Sequence, residues 1–421
     1  MISQEKIAGF ARKMDCGLEL FAEKTKTTSL MFEKENLHSK DAVFMEGFGL
    51  RVIKDKRIGF CAFEHEEDFE KSIRIALKLS KHSEPFDYFF PGTIGKSQKF
   101  FDKKSLDFEG FAYGELEGML LEHKKAKTTP VSNVISNAIT TDFLLNSEGA
   151  SIEKKTSGFF AMSQCGFKEG EAADAQSGSS FFFSPRQIAK NAADFAKSSA
   201  GAIEIPGGKK EVIFDIRAIY ELFNLFMDYN FSAESLRKKI TKTSIGMEIA
   251  PTNISIYDDP TLIHGNLPSE FDDEANKTKK TALIEKGVVN SYAYDMATAS
   301  KMGFKKSANG FRHSFEAPPT ISFTNISVEG GNAKDLVLEC KNGIYMNSFL
   351  TSGANAVTGD FSFPILIAHE IRNGEITHPV KNLLMKGNFF DMMKSAVFEG
   401  KTEIYNGLNC GRMKSEIDFI S

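Results

Sequence analysis

Asn373-Gly374 stands between the stretches Ile365 to Ile371 and Ile376 to Val380, and it constrains the fold more than any other pair of residues in the chain. A type I′ turn needs positive φ at both central positions. Asn and Gly accept that at little cost, so the stretch is set as a two-residue β-hairpin. From Gly343 to Met393, short apolar runs alternate with Gly, Asn and Asp at hairpin spacing, which predicts a β-meander. Gly387-Asn388 then leads into Phe389 to Met393, which reads as helix.

The preceding chain mixes helices with strands. Helical spacing of apolar residues predicts helices over Gln4 to Cys16, Glu66 to His82, Phe108 to Lys127 and Gln187 to Ala200. Leu18 to Ala22 and Ser29 to Glu33 read as strands separated by a turn at Lys24 to Thr28, and Ala42 to Phe63 as two more. Asn133 to Leu145 and Ala150 to Thr156 form a hairpin about Asn146-Ser147-Glu148-Gly149. Glu169 to Ser180, polar and rich in small residues, reads as a surface loop, with a mobile lid as the alternative. The Gly47-x-Gly49 step is no dinucleotide fingerprint, because no helix follows it.

Pro206-Gly207-Gly208 breaks regular structure and places a domain boundary near Ile203 to Lys210, giving units 1–202 and 207–421. Beyond it come a strand at Glu211 to Asp215 and a helix at Ile216 to Tyr229, whose Ile219, Leu222, Phe223, Phe226 and Met227 form one stripe. Tyr292 to Met302 reads as a short helix, Phe304 to Pro319 as a loop, and Ile321 to Val328 and Leu336 to Glu339 as strands. The expected fold class is α+β: an amino-terminal layer of helices on a sheet, then a mainly antiparallel, barrel-like carboxy-terminal domain.

Composition narrows function. A formal charge of −4 and a pI near 6.1 lack the concentrated positive field that phosphate neutralisation requires, so a nucleic-acid partner is not expected. No run approaches the ~18 apolar residues of a membrane span, and the first residues hold no apolar signal core. The cytoplasm is therefore the expected location, without membrane partners. Cys16, Cys61, Cys165, Cys340 and Cys410 are scattered without a CxxC pair, which fits free thiols.

The carboxy-terminal order of Thr358-Gly359-Asp360-Phe361-Ser362, an apolar strand, Asn373-Gly374-Glu375-Ile376, Pro379-Val380 and Lys386-Gly387-Asn388 resembles the TldD/PmbA family, also called modulators of DNA gyrase. Matching pieces recur upstream: Gly47-x-Gly49-x-Arg51-Val52 before a charged turn, the Asn146-Ser147-x-Gly149 step, and the acidic turn Phe271-Asp272-Asp273-Glu274 before a hairpin tipped by Lys286-Gly287. The resemblance implies a zinc metallopeptidase system with two subunit types. The catalytic type carries HExxxH on the helix after the first strand of the second domain. Its PmbA/TldE-like partner lacks the motif.

Two imidazoles a little over one turn apart hold zinc, and the Glu beside the first activates water. Here the matching positions are Asn224, Leu225 and Tyr229, which supply neither histidine ligand nor a base, so no catalytic residue and no bound metal are expected. Cys410 matches the place of the catalytic type's third ligand and is the one weak metal candidate. The resemblance therefore implies a PmbA/TldE-like, non-catalytic subunit, as a homodimer or with a TldD-like partner that holds the zinc, acting on unstructured peptides. Asp360, Ser362, Arg312 and His313 are candidate peptide-binding residues, with turn stabilisation as the plainer reading of Asp360 and Ser362. Bulky Phe363-Pro364-Ile365 replaces the glycine-rich segment usual after the Phe-Ser pair. Two alternatives stand: a metal-dependent peptidase using His369, His378, His313 or Cys410 in a non-standard site, and a homo-oligomeric peptide-binding scaffold.

Overall fold

A computed structural model describes residues 2–303 and 308–421. Its first sheet is built on two very long strands. Gly17–Glu33 pairs along its whole length with Asn36–Lys54, and on its other edge with Thr129–Asn146. The expected turn at Lys24 to Thr28 is absent: those residues pair on both sides, so polar composition marks accessible side chains there and not a break in the backbone. Ser151–Phe167 pairs next to Thr129–Asn146, and Gly170–Gly178 follows it. That last strand occupies the segment read as a loop or lid. Small polar residues suit it because Ser151–Phe167 supplies its ladder and the helix Pro185–Ala200 packs closely on it.

Helices cover one face of this sheet. Gln4–Met14 and Phe69–Ser80 bury Leu18, Leu20, Leu50 and Val52, while Phe108–Ala126 and Pro185–Ala200 bury Leu30, Ile135 and Phe159. Each side-chain set is the alternate-residue face of its strand, as a pleat with period two demands.

The second half contains a closed barrel. Asn342–Phe349 pairs with Gly208–Phe214, that strand with Met413–Ile420, then Leu384–Asn388, then Asp360–Arg372, which returns to Asn342–Phe349. Closure leaves no unpaired edge in this ring. Asn373 (φ 51°) and Gly374 (φ 83°) make the expected hairpin turn to Glu375–Lys381. Inside, Phe361, Phe363 and Phe349 stack with centroids 4.9 and 5.0 Å apart. The mixed α+β, barrel-containing architecture agrees with the sequence reading.

A six-stranded sheet runs beside the barrel, with Ser255–Asp258 and Ile326–Glu329 at its centre and Leu408–Cys410 beside them. Leu336–Glu339 is a short helix and not a strand, because the Asp335 carboxylate accepts from Val337 N and Leu338 N and caps it. The short helix expected from Tyr292 begins only at Met296, where Asp295 caps it. Part of the Phe304 to Pro319 loop, residues 304–307, lies outside the described residues. Among the described residues no helix is long and apolar enough to cross a membrane.

Candidate functional site

The helix Ile216–Phe231 leaves the barrel strand Gly208–Phe214 at Asp215, whose carboxylate accepts from Arg217 N at 3.1 Å and from the Tyr345 hydroxyl at 2.9 Å. Its apolar stripe is buried, with Phe226 stacked on Phe389 at 4.7 Å. Near the carboxy-terminal end, Asn230 Nδ2 donates to Ala356 O at 2.8 Å. The helix is thus fixed at both ends, and its outer face is presented rigidly.

On that face Asn224, Asp228 and Tyr229 are exposed, while Leu225 packs against the core. Asn224 and Asp228, one turn apart, line a cavity of about 200 Å³ with Tyr220, Asn266, Thr324 and Asn406. Cys410 is fully buried in Leu408–Cys410, paired with Glu403. Burial pushes its thiol well above the ordinary range, and the nearby Glu403 and Asp215 carboxylates add to that. Leu408 lines the cavity beneath Asn224, but the Cys410 thiol two residues on is itself fully buried.

The histidines do not gather either. His369 bonds Ser198 Oγ through Nε2 at 3.0 Å, and burial holds its pKa below the usual value. His378 and His313 are exposed, on a barrel-side hairpin and in the cleft described next. Among the described residues, no three His, Cys, Asp or Glu side chains are placed to hold a metal ion. All five cysteines are free thiols.

A second and larger cleft, about 460 Å³, opens where the acidic turn of the second half meets the uncovered face of the first sheet. It shares Asn266, Leu267 and Ser322 with the helix-face cavity, so the two adjoin. Beside it lies a buried ionic joint. Arg51 forks onto Glu19, its partner across the strands, at 2.7 and 2.8 Å, and reaches Glu274 Oε1 at 3.0 Å and the Tyr88 hydroxyl at 2.8 Å. Arg312 Nη2 donates to Glu19 Oε1 at 2.9 Å, and Lys154 bonds Asp273. Gly47 and Gly49 now acquire a role: a Cβ at Gly47 would lie 2.3 Å from the Phe315 ring, and one at Gly49 2.5 Å from Phe315 O. The Gly-x-Gly-x-Arg step is where the second half docks on the first sheet.

Of the four candidate peptide-binding residues, Arg312 and His313 line this cleft, but the Arg312 side chain is only 1% exposed and its charge is committed to Glu19. Asp360 and Ser362 lie elsewhere, on the barrel strand Asp360–Arg372. Asp360 accepts from Thr358 Oγ1 at 2.7 Å and Asn388 Nδ2 at 2.8 Å, and these bonds hold its carboxyl below the usual range, Asn388 foremost. Ser362 N donates to Gly353 O at 3.0 Å. The two pairs do not meet. Sequence reasoning missed Glu19, Glu23, Arg51, Asp142 and Lys154. Glu19, Arg51 and Asp142 carried one signal, a lone charge within its stretch of strand, whereas Glu23 and Lys154 stand next to further charges and carried none.

Comparison with known proteins places these features. A family model described as the PmbA/TldA metallopeptidase C-terminal domain matches residues 207–416, and one described as PmbA/TldA metallopeptidase domain 1 matches residues 18–80. An uncharacterized protein of Methanocaldococcus jannaschii is 28% identical over 399 residues, covering 93% of this chain and 94% of that one. Two crystal structures, each 21% identical and aligned over 99% of both chains, share the fold: a putative modulator of DNA gyrase from Thermotoga maritima (TM-score 0.87) and TldE from Thermococcus kodakarensis (0.85). The chain belongs to the PmbA/TldD family of metallopeptidase-like proteins.

The metal that such a family name implies does not fit the residues present. Asn224 offers at most a neutral amide oxygen, Leu225 no proton acceptor, and Tyr229 a phenol in place of an imidazole. The single thiol that could assist, Cys410, is fully buried.

Proposed function

We propose that this chain is the PmbA/TldE-like, non-catalytic subunit of a TldD/PmbA-type peptidase acting on unstructured peptides in the cytoplasm. The observation that carries the reading is the helix Ile216–Phe231. It keeps its cap, its packing and an open outer face, yet sets Asn224, Leu225 and Tyr229 where a zinc peptidase needs two imidazoles and a carboxylate base.

The two adjoining cavities support a peptide-handling role. They form a path from the helix face to the inner face of the first sheet, walled by small hydroxyl side chains such as Thr140, Thr156, Ser157 and Ser314. Short hydroxyls donate and accept without demanding one side-chain sequence, which suits extended polypeptide. In this reading the chain encloses and orients the peptide, while a TldD-like partner holds the zinc and cuts. The test is to mix the purified chain with an HExxxH-bearing family subunit. Co-elution on size exclusion and faster degradation of an unfolded polypeptide than by that subunit alone are expected. Separate elution with unchanged degradation would overturn the assignment.

A further inference from the structure

Glu23, Asp142 and Lys154 stand in one row across three neighbouring strands, Glu23 opposite Asp142 and Asp142 opposite Lys154. All three line the larger cleft, together with Asp273. Like charges directly opposite in a ladder repel, so two facing carboxylates call for a cation between them. The cation at hand is largely spent: Lys154 Nζ is bonded to Asp273 and lies 3.8 Å from Asp142. Glu23 is served by Phe315 N at 2.8 Å and Thr25 Oγ1 at 3.1 Å. Asp142, with a side chain 14% exposed, has no hydrogen-bond donor among the described residues. The neighbouring Arg312 guanidinium cannot neutralise the row, since its side chain is 1% exposed and donates to Glu19 and to Ala317 O, each at 2.9 Å. The cleft is left with two facing carboxylates, one of which lacks a donor.

We propose that this cleft takes a basic side chain of an extended peptide, its guanidinium or ammonium seated between Glu23 and Asp142 and beside Asp273. The inference deepens the peptide-handling reading given above and rests on it. A cavity of about 460 Å³ holds one long side chain and its backbone. A planar guanidinium matches carboxylates through paired hydrogen bonds, so arginine fits best. Burial raises the Asp142 carboxyl to about 7 against the pull of Lys154, while Asp273 and Glu23 raise it further and Arg312 lowers it. Without a ligand the row is relieved by a proton, and a bound cation replaces that proton.

The probe is a fluorescein-labelled, unstructured Gly/Ser peptide with one central arginine, compared with the same peptide carrying citrulline, by fluorescence anisotropy with the full chain. At pH 8 the arginine peptide binds about tenfold more tightly. The preference shrinks as pH falls from 8 to 5.5 and Asp142 takes up its proton, and Asp142→Asn removes it. Equal binding of the two peptides to the unaltered chain at pH 8 overturns the basic-side-chain inference while leaving peptide handling standing. So does a preference that survives in Asp142→Asn. Failure of both peptides to bind at any pH overturns peptide handling itself. The comparison of arginine with citrulline across pH needs no variant, so it decides the matter even if Asp142→Asn does not fold.

Discussion

Replacing Arg51 by methionine tests the ionic joint that sets the two halves of the molecule against each other. The Arg51 side chain is 4% exposed and Glu19 is fully buried, so both charges have left water and depend on each other. Arg51→Met removes the fork onto Glu19 and the bonds to Glu274 and Tyr88. Among the described residues Glu19 then keeps only Arg312, at 2.9 Å, and Glu274 keeps the Tyr88 hydroxyl at 2.7 Å and Met296 N at 2.7 Å. Removing one partner of a buried pair leaves an uncompensated charge, at a cost of about 3–5 kcal/mol. Arg51→Lys keeps the charge but not the planar fork and falls between the two. Urea denaturation followed by circular dichroism measures the loss, and limited proteolysis between residues 200 and 210 reports whether the halves separate. Because Arg51 and Glu19 belong to the first sheet whereas Glu274 and Arg312 belong to the second half, both readouts should move together. A loss below about 1 kcal/mol, with unchanged proteolysis, would refute the claim that this joint holds the halves together.

Three other expectations follow from the same geometry. Asp142 holds its proton up to about pH 7 when folded but to an ordinary carboxylate value when unfolded, so its contribution lowers stability as pH rises from about 4 to 7, by up to about 4 kcal/mol. Denaturation midpoints at pH 5 and pH 8 should therefore lie closer together in Asp142→Asn than in the unaltered chain, and an unchanged gap would count against it. Gly47→Ala places a methyl against the Phe315 ring and should destabilise the chain by about 1–3 kcal/mol in the same assay, whereas a neutral outcome would mean the Phe315 segment moves freely. Restoring the motif with Asn224→His, Leu225→Glu and Tyr229→His should not create stoichiometric zinc binding in titration calorimetry, because the Cys410 thiol is fully buried and burial with the Glu403 and Asp215 carboxylates keeps it protonated. Tight one-to-one zinc uptake would show that the helix face reaches a ligand after all.

How much of this could be read from the sequence varies with the physics of each segment. The Asn373-Gly374 turn and the helix Ile216–Phe231 were legible because a single local requirement, positive φ or a helical apolar stripe, decides them. The strand through Lys24 to Thr28 was not, since one of its two pairing partners, Thr129–Asn146, is distant in sequence while Lys24 and Lys26 face solvent. Gly170–Gly178 was hidden for a related reason: its small residues are chosen by close packing against a helix, as at Gly170, whose Cβ would lie 2.4 Å from Ala196 O. The candidate site divides in the same way. Asn224, Leu225 and Tyr229 could be placed one by one on a helix by resemblance, and they do share it. The cleft could not, because Glu23, Asp142, Lys154 and Asp273 come from four segments that only sheet register and docking bring together.

We propose that this chain serves a peptidase without carrying its metal chemistry. Elemental analysis of the purified chain, paired with degradation of an unfolded polypeptide by the chain alone, tests it most directly. No stoichiometric zinc and no cleavage are expected until an HExxxH-bearing subunit is added. Near-stoichiometric zinc with chelator-sensitive cleavage by this chain alone would contradict it.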